Sequence, residues 1–428
     1  MKSNLRRHTL LLTCANCLSR CLGFLIRLLL ARLLSPEALG VMEMSSAAGM
    51  LALTPVTAGI PSAMSRVTAR HGAGERKQVL AAGLSLIGRM CMLLIPAWLL
   101  LTPAVAWLLG DLRTIPALAV FAPAMLLAGL CGVYSGYCFG QEKPRLPALV
   151  ECAEQLARFA LSAMLLIYLQ NGRVALAAAL PFLARVTAEL CAVALFRLAL
   201  PLPRRRGMPS SALRAELLRL SAPLMFTQVC GAGMRALNAV LLPVCLRQSG
   251  LSQAAATAQY GLLGGMAMPL VMAPGVITGA LCVVSVPVIA KLEDQARRLA
   301  PLKRRLYLAS GAIGASACAG LYMGAGFLSG VLFGQIALAP LLRVMSPLAL
   351  LMSVRQVQFG MVTGLGLQRQ AVGGTLVSSL TTLLMTAWLC PVPQLRLFGV
   401  AYAMIAGQLA SLAWNSAVLL RAARGAAQ

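Results

Sequence analysis

Charge is scarce in this chain, and negative charge is scarcest: Asp, Glu, Lys and Arg make up 11% of 428 residues, and only 11 residues are acidic. Soluble domains carry about 25% charged residues. Here 59% of residues are hydrophobic and the mean hydropathy is +0.82, so a water-soluble fold is excluded. Histidine is almost missing. The two present, His8 and His71, fall in segments expected to be cytoplasmic, and the acids form no metal or nucleophile set. No catalytic constellation, bound metal or cofactor is expected, and the chain does not read as an enzyme. Aromatic residues, at 5%, are too few for a cavity built to hold organic cations.

What is present is apolar length. A bilayer core about 30 Å thick takes roughly 20 apolar residues per helix, and such runs recur along nearly the whole chain. Run length together with Pro, Gly and Arg punctuation predicts spans near 10–34, 39–63, 80–102, 115–139, 147–169 and 174–199. A second set follows near 221–246, 259–288, 306–332, 338–364, 371–390 and 397–420. The expected architecture is therefore an all-α integral membrane protein of about twelve transmembrane helices. The basic N-terminal start resembles a signal peptide, but its apolar run continues past Arg20 and Arg27 to about Leu34, so it is read as an uncleaved first span.

The formal charge of +26 comes from basic residues in the short segments between spans rather than from one solvated face, which argues against nucleic acid as a partner. With the N-terminus inside, the cytoplasmic segments hold 23 basic residues. The outer loops hold only Arg113, Arg173, Arg247 and Arg396. This bias places both termini in the cytoplasm and requires an even number of spans. Most of the thirteen cysteines lie within apolar runs, where a thiol acts as a small hydrophobe. Cys14, Cys17 and Cys21 share a helix face without a fourth ligand nearby, and packing explains them better than metal.

The longest basic loop, with Arg204, Arg205 and Arg206, divides the chain into near-equal halves: a bundle over 1–200, a linker over 201–220 and a second bundle over 221–428. A shift of 224 residues superposes Pro123 on Pro347, Leu126 on Leu350, Leu127 on Leu351, Gly136 on Gly360 and Gly140 on Gly364. Two parallel repeats of six helices are expected, enclosing a cavity between the halves. That symmetry favours alternating-access transport over a membrane-embedded enzyme.

Ionisable residues within spans are costly, about 2.5–3.5 kcal/mol each at a helix centre, and so mark function. Arg20 and Arg27 are two turns apart, roughly 10 Å along one face of span one. Arg89, Arg235 and Arg355 lie in spans three, seven and ten. If these five face the inter-bundle cavity, they form a cationic site suited to phosphate oxygens, because guanidinium offers a planar fork of donors and keeps its charge. Arg89 also lies near enough to a span end to snorkel toward headgroups. Glu43 in span two has no partner on its own helix and either meets an arginine of span one or acts as a coupling site. Glu154 with Arg158, and Arg185 with Glu189, have the i, i+4 spacing of intrahelical pairs and read as structural.

Several stretches are similar to one family, in order along the chain. Ser19-Arg20-Cys21-Leu22-Gly23-Phe24-Leu25-Ile26-Arg27 with Leu30-Ala31-Arg32-Leu33-Leu34, then Thr57-Ala58-Gly59-Ile60-Pro61, resemble the first two spans of the stage V sporulation protein B-like branch of the multidrug, oligosaccharidyl-lipid and polysaccharide exporter superfamily. Gly136-Tyr137-Cys138-Phe139-Gly140-Gln141 with Pro144, Glu151, Glu154-Gln155-Leu156 and Arg158 resembles its fourth-to-fifth span junction. Ala254 to Leu263 with Pro269, Pro274 and Pro287 resembles its eighth span.

The resemblance implies two six-helix bundles akin to multidrug exporters and lipid II flippases. It also implies a polyprenyl-pyrophosphate-linked saccharide as substrate, in a bacterial plasma membrane, with a place in spore envelope assembly. That anionic lipid-linked saccharide, together with membrane lipids, is the expected partner. The chain departs from the branch in stopping at Gln428, where many members have two further helices, and in having Asn238 where members tend to have aspartate. Two alternatives stay open: a multidrug exporter of the same fold, and a non-transporting scaffold of envelope or spore assembly.

Overall fold

The computed structural model describes residues 2–72, 74–169, 172–200, 211–291 and 296–425, with side chains described over 18–422 except 283, 287 and 291–299. The basic linker at Arg204–Arg206 lies outside the described residues, as do the side chains of Lys2, Arg6, Arg7, Cys14, Cys17, Arg297, Arg298 and Arg424. Among the described residues there are helices and no strands. They run α1 Lys2–Leu33, α2 Pro36–Thr57, α3 Ile60–Arg70, α4 Arg76–Leu108, α5 Ile115–Ala119, α6 Phe121–Gly140, α7 Arg145–Leu169, α8 Val174–Ala199 and α9 Ser211–Gln248. There follow α10 Gln253–Gly261, a π-helical stretch Leu262–Ala267, α11 Met268–Met272, α12 Gly275–Lys291, α13 Ala296–Met323, α14 Ala325–Phe333, α15 Ala339–Gly364, α16 Gln368–Leu389 and α17 Arg396–Gly425.

Ten of these helices, some assembled from two short ones, are long and apolar enough to cross a membrane, or eleven if the bent pair Gln253–Met272 and Gly275–Ala290 is one span. The twelfth expected span corresponds to α1. The chain is a multi-pass membrane protein, and its outward surface agrees: α4 alone exposes Met92, Leu93, Leu100 and Trp107, a contiguous apolar surface that water does not tolerate.

Two compact units are formed, Met1–Val240 and Leu241–Gln428, with the boundary inside α9. The first part of α9 is tied to the first unit: Arg70 at the end of α3 lies 3.9 Å from Glu216, and the backbone of Ser221 abuts Gly59.

Local chemistry explains where the second span breaks. Ser35 caps α2, its Oγ accepting from the Ala38 N–H, and Pro36 follows with its φ already helical. Pro55 removes a donor near the other end, and at Gly59 the backbone turns to φ 82° before Pro61 starts α3. Only glycine suits this turn, both for its dihedral and because a Cβ would stand 2.6 Å from the Ser221 carbonyl oxygen. In the second unit the corresponding span bends by 53° between Met272 and Gly275.

The two units repeat one packing device. Gly132, Gly136 and Gly140 form a ridge-free stripe on α6 that seats α3: a Cβ at Gly136 would run into the Pro61 carbonyl and the Met64 side chain, and one at Gly140 into the Ser65 carbonyl at 2.6 Å. In the second unit Gly360 of α15 sits against Cys282 of α12, Sγ being 2.6 Å from where a Cβ would stand, and Gly364 sits against Ile289. The residues paired by the 224-residue shift thus do the same work, each seating the second segment of a broken span. Gly136→Leu is expected to cut the monodisperse yield and lower the melting temperature, since the backbone of α3 cannot yield; overpacking costs about 1–3 kcal/mol. Gly88→Leu, where nothing lies within 4 Å, is the control and should be neutral. Equal melting temperatures for the two would remove the seat as a source of stability.

Candidate functional site

In the second unit, α15 carries the polar stretch Arg355-Gln356-Val357-Gln358 in the middle of the membrane-length helix. Its two glutamines fix the rotation of the helix. Gln356 Oε1 accepts from the Thr278 hydroxyl of α12 at 2.8 Å. Gln358 Nε2 donates to the Tyr307 hydroxyl of α13 at 3.1 Å and to Ser416 Oγ of α17 at 3.0 Å. Val357 is fully buried. Arg355 is what remains: partly buried, its Nε enclosed without a hydrogen bond, and without an ion-pair partner among the described residues. Composition deepens this isolation. From Leu241 to Gln428 the chain has thirteen basic residues and only two acids, Glu293 and Asp294, both outside the described residues.

The first unit is different, because its arginines have acids to meet. Arg27 of α1 lies 3.6 Å from Glu43 of α2. This is an ion contact rather than a hydrogen bond, since charge-assisted bonds sit near 2.7–2.9 Å. Arg27 keeps 54% of its side chain exposed and its donors are unspent. Arg20, seven residues earlier, is exposed too, and Gly23 on the same face has open space where a Cβ would stand. The neighbouring Ser19 is buried, its Oγ 3.9 Å from Cys152 Sγ on α7. The Ser19 side of α1 is therefore packed on α7, and the Arg20–Gly23–Arg27 side is left open.

Behind it lies a cluster that sequence reasoning treated as two separate pairs. Arg185 Nε donates to Glu189 Oε1 at 2.8 Å on α8, with Glu189 only 3% exposed, so that pair forms as its spacing requires. Glu154 and Arg158 of α7, by contrast, form no ion pair within 4.0 Å among the described residues, and Arg158 Nε is buried without a hydrogen-bond partner. Helix geometry supplies the reason. The link between α7 and α8 is short, so they run antiparallel, and Glu154 lies fifteen residues before Leu169 while Glu189 lies fifteen residues after Val174. Arg158 and Arg185 are likewise each eleven residues from those ends. Carboxylate is thus set level with carboxylate and guanidinium with guanidinium. Glu154 is therefore level with Glu189 of α8 rather than paired to Arg158 of its own helix. The short link and the equal counts were the signal available in the sequence.

The other expected site residues are not gathered there. Arg89 is exposed on α4. Arg235 is exposed on α9, with Nη1 lying back over Gly231 of its own helix. Asn238 spends its amide on the Met234 carbonyl at 3.0 Å. Arg113, expected in an outer loop, is held by Glu37 Oε1 at 2.6 Å and Asp111 Oδ2 at 2.7 Å, tying the start of α2 to the turn after α4.

A family model described as polysaccharide biosynthesis protein matches residues 5–293. Stage V sporulation protein B of Bacillus subtilis (strain 168) is 27% identical, over 95% of this chain and 82% of its own length. An inward-facing multidrug resistance MATE family transporter of the MOP superfamily superposes with a TM-score of 0.77 at 16% identity, covering 95% of each chain. A MOP superfamily transporter from Pyrococcus furiosus, described as having a binding pocket of reversed polarity, superposes with a TM-score of 0.61 at 16% identity, over 97% of this chain and 95% of its own. At such identities these structures establish the fold. The colinear likeness in Ser19–Arg27, Thr57–Pro61 and Gly136–Arg158 agrees with the matches in sequence, and the chain belongs to the polysaccharide biosynthesis protein family.

Proposed function

We propose that this protein is a flippase that moves a polyprenyl-pyrophosphate-linked saccharide across the bacterial plasma membrane by alternating access, with both termini in the cytoplasm. The observation that carries the reading is Arg355, a guanidinium in the middle of α15, pinned in place by flanking glutamines and lacking any countercharge among the described residues. A half-buried cation of that kind is stabilised by an anion beside it, and a pyrophosphate headgroup has the oxygens that a planar fork recognises. Arg20 and Arg27 add a second cationic face on α1, with Glu43 steadying Arg27 without using its donors. Family membership and the sporulation-protein relative support a precursor of envelope or spore polysaccharide as the cargo.

The test is reconstitution in liposomes with a fluorescent polyprenyl-pyrophosphate sugar on one leaflet. Translocation is expected for the wild type, near-complete loss in Arg20→Ala and Arg27→Ala, and partial loss in Arg20→Lys and Arg27→Lys, where charge remains and the fork is gone. Full activity in both alanine variants at matched abundance would leave these residues as interfacial anchors. Transport of an organic cationic dye in place of the lipid-linked sugar would instead assign the protein to drug export.

A further inference from the structure

A threonine inside a helix commonly spends its hydroxyl on the carbonyl four residues back. Thr54, Thr102, Thr227, Thr363 and Thr382 all do so, at 2.6–3.0 Å. Thr278 departs from this pattern. Fully buried and one turn into α12, it lies 3.3 Å from the Pro274 carbonyl of its own helix and donates across to Gln356 Oε1 of α15 at 2.8 Å. A hydroxyl has one proton, and the shorter, cross-helix bond holds it. The position matters because the eighth span bends by 53° between Met272 and Gly275. Gln356 Oε1 also lies 3.5 Å from where a Cβ on Gly275 would stand, so its amide rests against the break itself.

The first unit lacks this link. The shift of 224 residues places Thr54 at Thr278, Gly132 at Gln356 and Cys131 at Arg355. With no side chain at Gly132 to receive it, the Thr54 hydroxyl falls back on the Met50 carbonyl at 2.6 Å, and the span breaks after the threonine, at Gly59, rather than before it. The amide that reaches the break and the guanidinium without a described countercharge thus occur together, as neighbours on α15 of the second unit. Neighbouring residues on a helix point about 100° apart, so a bond that fixes Gln356 also fixes the direction of Arg355. We propose that Thr278 is a positioning residue for Arg355: its bond to Gln356 ties the break of the eighth span to the rotation of α15, so that an anion seated on Arg355 stiffens the break and a loosened break weakens the hold on the anion. Such coupling is reciprocal, with one factor governing both effects. The tie between the helices stands on distances; its response to an anion rests on the function proposed above.

Hydrogen–deuterium exchange of the whole chain in lipid nanodiscs reads opening at the amides of Gly275 to Thr278. Thr278→Val keeps the side chain's shape and removes the hydroxyl; Gln356→Leu removes the acceptor. Each should speed exchange there by about two- to tenfold, the net worth of one hydrogen bond, and the double variant by no more than either alone. Thr278→Ser should exchange like the wild type. Unchanged exchange in Thr278→Val, or additive effects in the double variant, would overturn the tie. Saturating inorganic pyrophosphate should slow the same amides in the wild type and in Thr278→Ser but not in Thr278→Val. Calorimetry should show pyrophosphate binding Thr278→Val more weakly, by the factor by which it slows exchange in the wild type. Equal slowing in Thr278→Val, or binding to the wild type without any slowing, would overturn the positioning role and leave the flippase reading intact. If pyrophosphate binds none of these proteins while Thr278→Val still opens faster, the positioning role and the pyrophosphate-lipid reading fall together and only the tie remains.

Discussion

Arg355→Met is expected to raise the melting temperature of purified, substrate-free protein and at the same time to abolish translocation of a polyprenyl-pyrophosphate sugar. A structural arginine would show the opposite pattern. Arg355 is half-buried with its Nε enclosed and unbonded, and no described acid lies in its half of the chain, so its charge is partly desolvated without a countercharge until a ligand arrives. Replacing buried charge by a flexible apolar chain of similar volume is commonly neutral or stabilising, by about 1–4 kcal/mol. The same change removes charge-assisted hydrogen bonds to the ligand worth about 1.5–3 kcal/mol, a loss of roughly ten- to a hundredfold in transport. Arg355→Lys should fall between, retaining charge without the bidentate fork. Differential scanning fluorimetry and the liposome assay on one preparation decide the matter: a lower melting temperature with unaltered transport in Arg355→Met would make the residue part of the scaffold.

Glu189→Ala should act in the reverse sense, collapsing folded yield before transport can be assessed. Glu189 is 3% exposed and is the one acid bonded to Arg185 among the described residues, and its removal leaves Arg185 and Arg158 level with each other with Glu154 to offset them. Removing one member of a buried pair costs about 3–5 kcal/mol. The double variant Arg185→Met with Glu189→Leu removes both charges and should recover much of the monodisperse fraction that the single variant loses. A normal melting temperature for Glu189→Ala together with abolished transport would show that the pair serves the ligand rather than the fold.

Much of this architecture was legible in the sequence because lipid imposes a simple rule, that each crossing needs a long apolar helix. The spans near 80–102, 147–169 and 174–199 lie within α4, α7 and α8. Gly136 with Gly360 and Gly140 with Gly364 were visible as a repeat, and the structure gives the reason in the close approach of α3 and α12. The breaks inside the second and eighth spans were less legible, since Pro55 and Gly59 are ordinary in a membrane helix until the backbone dihedral is known. At the site, the i, i+4 rule found Arg185 with Glu189 and misjudged Glu154 with Arg158. That rule considers one helix at a time, and the equal counts from the α7–α8 link set Glu189 of the neighbouring helix level with Glu154. Arg355 was found as a charge in a span, but its isolation depends on which partners Gln356 and Gln358 take, which spacing does not encode.

The paired glycine seats also bear on how the protein responds to temperature. A water-soluble core weakens on cooling because its cohesion comes largely from expelling water. In a bilayer no such force draws one helix to another, and association rests on dispersion between closely matched surfaces. Where α6 meets α3 and α15 meets α12, the absence of a Cβ at successive turns brings backbone against side chain and carbonyl, so the attraction is enthalpic and local. Those two seams should therefore hold at low temperature, when a soluble protein's interior begins to loosen, and any softening of the molecule in the cold should begin elsewhere.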